Sequence, residues 1–295
     1  VYLWVDGNDP KWQAKRNAFF GRKVENSSSN FNGRYVNNDE LKYSLRSVER
    51  YAPWIRKIFI VSDNQKPKWL DVSNPKIQII DQNNLLPYKS LPCYNSNVLE
   101  HFLYKIPNLS EHFLLSNDDM FLNKTVLSTT FFAKDGFPII RLNRKPFRRF
   151  RWFLREQIFK KPHKLYSKAL FNAAELVKQK FGFFYNGLPH HNIDSYLKRD
   201  CLRVAEQIFK NEIDLTKMNH IRNANDVQRI VYSYVALAEK RGHLRYVSND
   251  ESLHVHIQKY RHYEKLKKFN PTFFCMNDTE YACLLYTSDA ADESL

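Results

Sequence analysis

The stretch HFLLSNDDMFL, residues 112–122, places an apolar run directly before three polar residues, Asn117, Asp118 and Asp119. Short apolar runs of this kind are typical of strands buried on both faces of a parallel sheet. Three further runs have the same character: VYLWV (1–5), KIFIVS (57–62) and IQII (77–80). We therefore expect four buried strands in the first part of the chain.

Helical patterns lie between these runs. One extends from Asn38, a good N-cap residue, to about Arg50, and another from about Ser96 to Lys105. The alternation of strands and helices predicts an α/β fold with a mostly parallel sheet. Ligands bind at the carboxyl ends of strands in such a sheet, so polar residues at those ends are candidate site residues.

The second half has a different pattern, with long amphipathic segments at about 165–181, 193–209 and 225–240. We expect residues 1–140 to form an α/β catalytic core and residues 141–270 to form a mainly helical portion. Short β segments are predicted at 244–247 and 272–275. The second of these predicts that residues 271–282 return to the core as a strand.

The last residues, 283–295, include CLLYTSDAADE, which resembles the translation of a transposase adapter used in sequencing libraries. We interpret 283–295 as an adapter-derived, non-native tail. A genuine polar tail is the alternative.

The formal net charge is +15, and the excess is concentrated between Arg141 and Lys168, which hold eleven Lys or Arg residues and one acid, Glu156. Such a patch suits a polyanion: nucleic acid, an anionic membrane surface or a phosphate-bearing substrate. Trp152 and the Phe residues among the arginines suggest an amphipathic segment that could lie on a membrane face. A solvated basic loop is the alternative.

Two adjacent carboxylates after a buried strand supply hard oxygen ligands for Mg²⁺ or Mn²⁺, and such an ion can bridge diphosphate oxygens. Asp118 and Asp119 are therefore candidate metal ligands, and Asn117 is a candidate binding residue beside them. The alternative is an ordinary polar turn.

Two more polar clusters follow or precede predicted elements. Asp6, Asn8 and Asp9 follow the first strand, although Asp-Gly-Asn-Asp-Pro is also turn chemistry, and a turn can hold a ligand. Asp39 lies at a helix start, where the helix dipole favours acids and where a phosphate could also bind.

Histidine and arginine candidates lie in the second half. His190 and His191 have the right pKa to take a proton from an attacking hydroxyl, although such a pair is often a cap or surface feature. Arg222 could neutralise phosphate charge or pair with a surface acid.

Taken together, these motifs resemble the Stealth family. It includes bacterial capsular polysaccharide phosphotransferases and the catalytic subunit of the animal enzyme that tags lysosomal glycoproteins with N-acetylglucosamine-1-phosphate. The family is defined by four separated blocks, and the chain is similar to them in order. The stretches are VYLWVDGNDPKW (1–12), residues 37–70, residues 95–122, and a partial fourth block in 221–234 and FFCMND (273–278).

The resemblance implies a Rossmann-like nucleotide-sugar-binding core and a role for each matching residue. Those that would help hold the nucleotide sugar or form the active-site wall are Asp6, Asn8, Asp9, Asp39, Arg46 and Asn117. Those that would bind metal, contact the phosphates or form a late Asn-Asp pair are Asp118, Asp119, Arg222, Asn277 and Asp278.

The resemblance does not identify one residue as the catalytic base. Family members often carry His-x-Pro, whereas this chain has Pro189 followed by His190 and His191. Both histidines stay candidates, with Asp39 or Asp278 as the fallback.

The reaction implied is attack of an acceptor hydroxyl on the sugar-proximal phosphorus of a nucleotide sugar. It would transfer hexose-1-phosphate, such as N-acetylhexosamine-1-phosphate, to a glycan, form phosphodiester links in capsular or cell-surface polysaccharide, and release nucleoside monophosphate. A metal-dependent glycosyltransferase using the same donor would instead break the sugar C1–O bond. A nucleic-acid-binding module using 141–168 is a remote alternative.

The expected partners are therefore a nucleotide-sugar donor and a glycan acceptor, with Mg²⁺ or Mn²⁺ as cofactor and no nucleic acid. An anionic membrane surface is a further possible partner through 141–168. We expect a cytoplasmic protein that could lie peripherally at the inner face of the plasma membrane.

Overall fold

A five-stranded sheet forms the centre of the fold, in a computed structural model that describes residues 1–21 and 37–277. The sheet order is β3-β2-β1-β4-β8. Its strands are β1 (Tyr2–Leu3), β2 (Ile58–Ser62), β3 (Ile77–Asp81), β4 (His112–Asn117) and β8 (Asp194–Leu197). The first four are parallel and β8 is antiparallel to β4, so the predicted α/β fold with a mostly parallel sheet is confirmed.

The first half contributes four α-helices: α1 (Pro10–Phe20), α2 (Glu40–Tyr51), α3 (Gln82–Leu85) and α4 (Ser96–Glu100). Helix α2 forms because Leu41, Ser44 and Val48 recur on one face and are buried there. Its N-cap is Asp39, in the left-handed conformation with φ 63°, and not the predicted Asn38. The helix starts later because the Glu40 carboxylate accepts the Asn38 backbone N–H at 2.7 Å.

Helix α4 ends at Glu100, earlier than the pattern predicted, because the next side chain, His101, forms hydrogen bonds to a distant part of the chain. The His101 ring is fully buried, with Nδ1 2.6 Å from the Tyr232 hydroxyl and Nε2 2.7 Å from the Val227 carbonyl oxygen. The chain then continues as a 3₁₀ turn, Leu103–Lys105. The prediction of one helix from Ser96 to Lys105 is therefore wrong in its second half.

Six more strands form two three-stranded sheets, β10-β11-β5 and β7-β6-β9. They are β5 (Met120–Leu122), β6 (Ile139–Asn143), β7 (Leu188–Pro189), β9 (His243–Tyr246), β10 (Ser252–His256) and β11 (Phe273–Asn277). The segments predicted at 244–247 and 272–275 are confirmed as β9 and β11, whereas β6, β7 and β10 were not predicted. The second half is therefore less helical than its amphipathic pattern suggested.

The helices of the second half are α5 (Arg148–Phe153), α6 (Leu165–Phe181), α7 (Lys198–Arg203), α8 (Lys210–Lys217), α9 (Ile230–Ala238) and α10 (Tyr260–Phe269). The predicted 165–181 helix is confirmed as α6. The predicted 193–209 helix is wrong at its start, because β8 joins the central sheet there. Helix α7 instead continues into a π-helical turn, Val204–Ile208.

The segment predicted as a helix from 225 begins only at Ile230, because Asp226 is committed to other contacts. Its fully buried carboxylate accepts hydrogen bonds from the amides of Asn95 at 2.9 Å and Asn97 at 3.0 Å. The residues before α9 thus form a loop that is bonded to the start of α4.

The main hydrophobic core contains residues from both halves, among them Phe113 on β4, Val177 on α6 and Tyr234 on α9. Strand β11 also lies beside β5, in antiparallel register. The division at residue 140 and the return of 271–282 stay predictions of organisation. The predicted tail at 283–295 lies outside the described residues. Within 1–21 and 37–277, no helix is long and apolar enough to cross a bilayer.

Replacing Leu41 with Ala tests how the core holds α2. Leu41 is fully buried, so Leu41→Ala leaves a cavity and should lower the free energy of unfolding by about 2–5 kcal/mol. Urea denaturation followed by circular dichroism measures the change. Leu215→Ala on α8, where the side chain is 59% exposed, is the matched control and should change stability little. Equal effects of the two substitutions would contradict the described burial.

Candidate functional site

A deep cavity of about 610 Å³ opens at the carboxyl ends of the central strands. Trp4 and Val5 follow β1, Ser62 ends β2, and Asp118 and Asp119 follow β4, and all five residues line it. The cavity therefore lies where ligands bind in parallel α/β sheets.

Asp118 and Asp119 form the turn between β4 and β5, at the junction of the central sheet with the β10-β11-β5 sheet. The turn is held by its neighbours: the Asn117 N–H lies 3.3 Å from the Met120 sulfur, and the Met276 N–H donates to the Asp119 carbonyl oxygen at 2.9 Å. Because the chain changes sheets within two residues, both carboxylates are fixed at the cavity wall.

The two carboxylates are held in an unfavourable environment for negative charge. Burial, and then the charge of Asp119, raises the pKa of Asp118 well above its ordinary value. Burial raises the pKa of Asp119 to about 6. Asp119 Oδ2 accepts from Cys275 Sγ at 3.2 Å and from the Asn277 amide at 3.5 Å, whereas its buried Oδ1 has no hydrogen-bond partner within residues 1–21 and 37–277. Such a pair favours a cation.

The two candidate histidines lie in different places. His190 is buried and does not line the cavity; its Nδ1 lies 3.0 Å from the Ser252 hydroxyl and its Nε2 lies 3.5 Å from Asp194. His191 has φ 55° and lines the cavity. Burial lowers the pKa of His191 to about 4, so its ring is neutral at neutral pH.

Two further histidines in the cavity wall were missed by the sequence reasoning. His254 and His256 on β10 both line the cavity. The His254 ring stacks on His191 with 4.9 Å between centroids, and its buried Nε2 has no hydrogen-bond partner in the part of the chain that the structure describes. The alternation SLHVH carried the signal, because residues two apart on a strand share a face.

Two arginines from the second half of the chain, Arg222 and Arg229, also line the cavity. Arg222 donates to the Ser96 hydroxyl at 3.3 Å, and its guanidinium lies 5.7 Å from the centroid of the Tyr166 ring. These contacts hold the Arg222 guanidinium at the cavity, and its role toward phosphate stays a prediction.

Arg229 was not predicted, and it is the centre of a buried ionic network. Its guanidinium lies 2.5 Å from Glu100 and 3.1 Å from Asp194. Burial opposes the charge, but the nearby carboxylates raise the pKa of Arg229 well above its ordinary value. Asp194 also faces His190, so the network connects α4 to the segment that carries His191.

Asp6, Asn8 and Asp9 make turn and cap contacts outside the lining of the cavity. Asp6 accepts the Asn8 N–H at 3.0 Å, and Asp9 caps α1 by accepting the Lys11 N–H at 2.9 Å. The Asn8 amide donates to the Asn37 carbonyl oxygen at 3.0 Å. Their predicted role in donor binding stays a prediction.

Of the other predicted residues, some line the cavity and some do not. Asp39 is half exposed and 4.0 Å from Lys42, and Arg46 is exposed above the Tyr43 ring, so neither lines the cavity. Glu40, next to Asp39, does line it, as do Asn117 and Asn277. Asp278 lies outside the described residues. The assigned roles stay predictions.

Family models match two stretches of the chain: Stealth protein CR1, conserved region 1, over residues 1–23, and Stealth protein CR2, conserved region 2, over residues 34–140. The stretches 37–70 and 95–122, described above as separate blocks, therefore fall within a single conserved region.

Named relatives align over most of the chain. The capsular polysaccharide phosphotransferase fcs1 of Haemophilus influenzae is 32% identical, over 95% of this chain and 77% of fcs1. A capsular polysaccharide phosphotransferase of Neisseria meningitidis serogroup B is 30% identical, over 95% of this chain and 76% of the relative. Others match a shorter part: cps1A of Actinobacillus pleuropneumoniae is 43% identical over 49% of this chain and 41% of cps1A.

A parallel sheet with a charged cavity at its carboxyl edge is typical of α/β enzymes. Similarity to named phosphotransferases over most of the chain identifies this enzyme as a phosphotransferase. The chain belongs to the Stealth family.

The pH dependence of stability tests the buried His254 ring. Burial lowers its pKa to about 3 from the ordinary value of 6.5, so it stabilises the fold above pH 6.5 and this contribution is lost as the pH falls. Between about pH 7 and about pH 5, His254→Gln should therefore lose about 1–2 kcal/mol less unfolding free energy than the wild type. Urea denaturation at both pH values measures this. An unchanged slope in His254→Gln would contradict the burial of this ring.

Proposed function

We propose that this chain transfers hexose-1-phosphate, such as N-acetylhexosamine-1-phosphate, from a nucleotide sugar to a glycan hydroxyl, and so forms phosphodiester links in capsular or cell-surface polysaccharide. The observation that carries the proposal is one cavity lined by the Asp118–Asp119 pair, by Arg222 and by His191. Transfer of a phosphate group to a hydroxyl uses a cation site and a positive side chain for the phosphate charge, together with a proton acceptor for the hydroxyl.

A divalent cation, Mg²⁺ or Mn²⁺, fits the carboxylate pair. Within the described part of the chain, Asp119 Oδ1 is buried without a hydrogen-bond partner, and burial raises the pKa of both Asp118 and Asp119. Among the described residues, no group of three or more His, Cys, Asp or Glu side chains could hold a metal ion. Mg²⁺ often takes one or two protein carboxylates and completes its shell with substrate phosphate and water. When bound, the ion would neutralise diphosphate charge.

The remaining chemistry falls to side chains of the cavity wall. The acceptor oxygen attacks the sugar-proximal phosphorus, and the bond from that phosphorus to the nucleoside monophosphate breaks. Arg222 and Lys164, which both line the cavity, would compensate charge on the transferred phosphate. A neutral His191 ring can accept the proton that the acceptor hydroxyl loses. His190 faces Ser252 and Asp194 instead, so we propose a positioning role for it.

The proposed location is the cytoplasm, at the inner face of the plasma membrane. Phe147, Phe150 and Phe153 on and before α5 are 72%, 60% and 55% exposed, and Arg149 lies among them. Exposed aromatic rings beside basic side chains favour contact with an anionic membrane surface.

The nucleotide product tests the proposed reaction. With Mg²⁺ or Mn²⁺, a panel of nucleotide sugars and a short glycan acceptor, ³¹P NMR should show nucleoside monophosphate and a new phosphodiester signal. Asp118→Asn should lower the rate by at least about 100-fold, because charge stabilisation at the phosphate is lost. Asp71→Asn, in an exposed surface turn, is the matched control. Release of nucleoside diphosphate would instead identify a glycosyltransferase.

His191→Asn tests the proton acceptor. Asn tolerates the positive φ at this position, so the backbone should be retained. We expect kcat to fall by about 10²–10⁴-fold with a much smaller change in KM for the donor. His112→Asn is the control, and steady-state assays of nucleoside monophosphate release give both constants. A full kcat in His191→Asn would remove this residue from the mechanism.

A further inference from the structure

A second cleft, of about 380 Å³, lies beside the cavity and is lined mainly by basic side chains. We call it the basic cleft. The charged or titratable residues that line it are Lys145, Arg148, Arg151, Arg155, His163 and Lys164, and Trp152 forms part of its wall.

The basic cleft forms because α5 and the π-helical turn after it, Leu154–Ile158, carry arginines on one side and phenylalanines on another. Arg148, Arg151 and Arg155 recur at helical spacing and line the cleft. Phe147, Phe150 and Phe153 line a separate depression, and Arg149 lies with them. Five of the eleven Lys or Arg residues of segment 141–168 therefore line this one cleft.

Several basic side chains of the cleft form no ion pair with the acids that the structure describes. Within the part of the chain that the structure describes, Lys145, Arg151 and Lys164 form no ion pair. By contrast, Arg149 on the other side of α5 lies 2.7 Å from Glu175. Unpaired like charges around a concave surface attract a multivalent anion.

The wall of the basic cleft is rigid. The Trp152 ring is sandwiched between His163, with ring centroids 3.4 Å apart and planes within 3°, and Phe171, with ring centroids 4.1 Å apart. The Arg155 guanidinium donates to the Pro162 carbonyl oxygen at 2.9 Å, which fixes the loop that closes the cleft. A preformed surface of this kind loses little entropy on binding.

Lys164 connects the two sites, because it lines both the basic cleft and the cavity. Leu165 and Tyr166, the next residues along the chain, line the cavity as well. The basic cleft and the cavity are therefore adjacent, with Lys164 in the wall of both.

We propose that the basic cleft binds a phosphodiester of an acceptor glycan that already carries sugar-phosphate units, with the acceptor end lying in the cavity. The proposal rests on the proposed function, because the product of that reaction would be a chain of this kind. The ligand class is an anionic, phosphodiester-linked oligosaccharide. A membrane lipid would fit the charge, but the aromatic side of α5, and not the concave basic side, is the exposed apolar surface.

The test compares two probes by isothermal titration calorimetry: a trisaccharide of N-acetylhexosamine joined by phosphodiesters, and the same three sugars joined by glycosidic bonds. The wild type should bind the phosphodiester probe more tightly. Lys145→Ala/Arg151→Ala should weaken that binding by about tenfold or more, because two charge-assisted contacts are lost. Arg144→Ala/Arg149→Ala removes two basic residues of the same segment that lie outside the cleft, and it should bind as the wild type does.

The proposal would be overturned by equal binding of the two probes by the wild type, by an unchanged phosphodiester affinity in Lys145→Ala/Arg151→Ala, or by the same loss in the control pair. A double variant that loses binding only to phosphatidylglycerol vesicles would also overturn it and would identify a membrane-docking surface. Because binding is measured without turnover, failure of the proposed reaction leaves this result readable. Thermal unfolding of both double variants confirms that they fold.

Discussion

The two-residue turn at Asp118 and Asp119 is the constraint on which the rest of the structure depends. It ends β4 of the central sheet and starts β5 of the next one, so it joins the two sheets at the point where the cavity opens. Placing two adjacent carboxylates there costs stability, because burial and mutual repulsion oppose their charges. Buried carboxylates with raised pKa values are more typical of functional sites than of packed cores.

The neighbouring strands complete this arrangement. Cys275 and Asn277 on β11 donate to one oxygen of Asp119, and parallel pairing sets His254 and His256 of β10 beside these two residues. Strands β10 and β11, from the last part of the described chain, are thus held beside the carboxylate turn by their pairing in the sheet. The second half supplies both a wall of the cavity and the basic cleft next to it, whereas the first half supplies the carboxylates.

The central sheet could be predicted because its strands are short, apolar and separated by helical patterns, as at 57–62 and 112–116. Cavity residues next to those strands, such as Asp118, could be found for the same reason. Arg229 and Glu100 could not, because their pairing depends on tertiary contact across the chain. His191 and His190 are adjacent in sequence, and only the backbone at φ 55° separates one ring from the other.

The prediction of helix ends failed where a side chain is needed elsewhere. His101 ends α4 because both ring nitrogens bond to the segment around α9, and Asp226 delays α9 because it binds the amides at the start of α4. Local propensity cannot detect such demands, since the partners lie more than a hundred residues away.

These contacts also make the two segments a matched pair. Asn95, Asn97 and His101 on one side are bonded to Asp226, Val227 and Tyr232 on the other, and the Glu100–Arg229 ion pair lies between them. A chimera that takes residues 95–101 from a relative with different partners would inherit unpaired buried groups unless it also takes 226–232. Recombination between family members therefore has to treat these distant segments as one cassette.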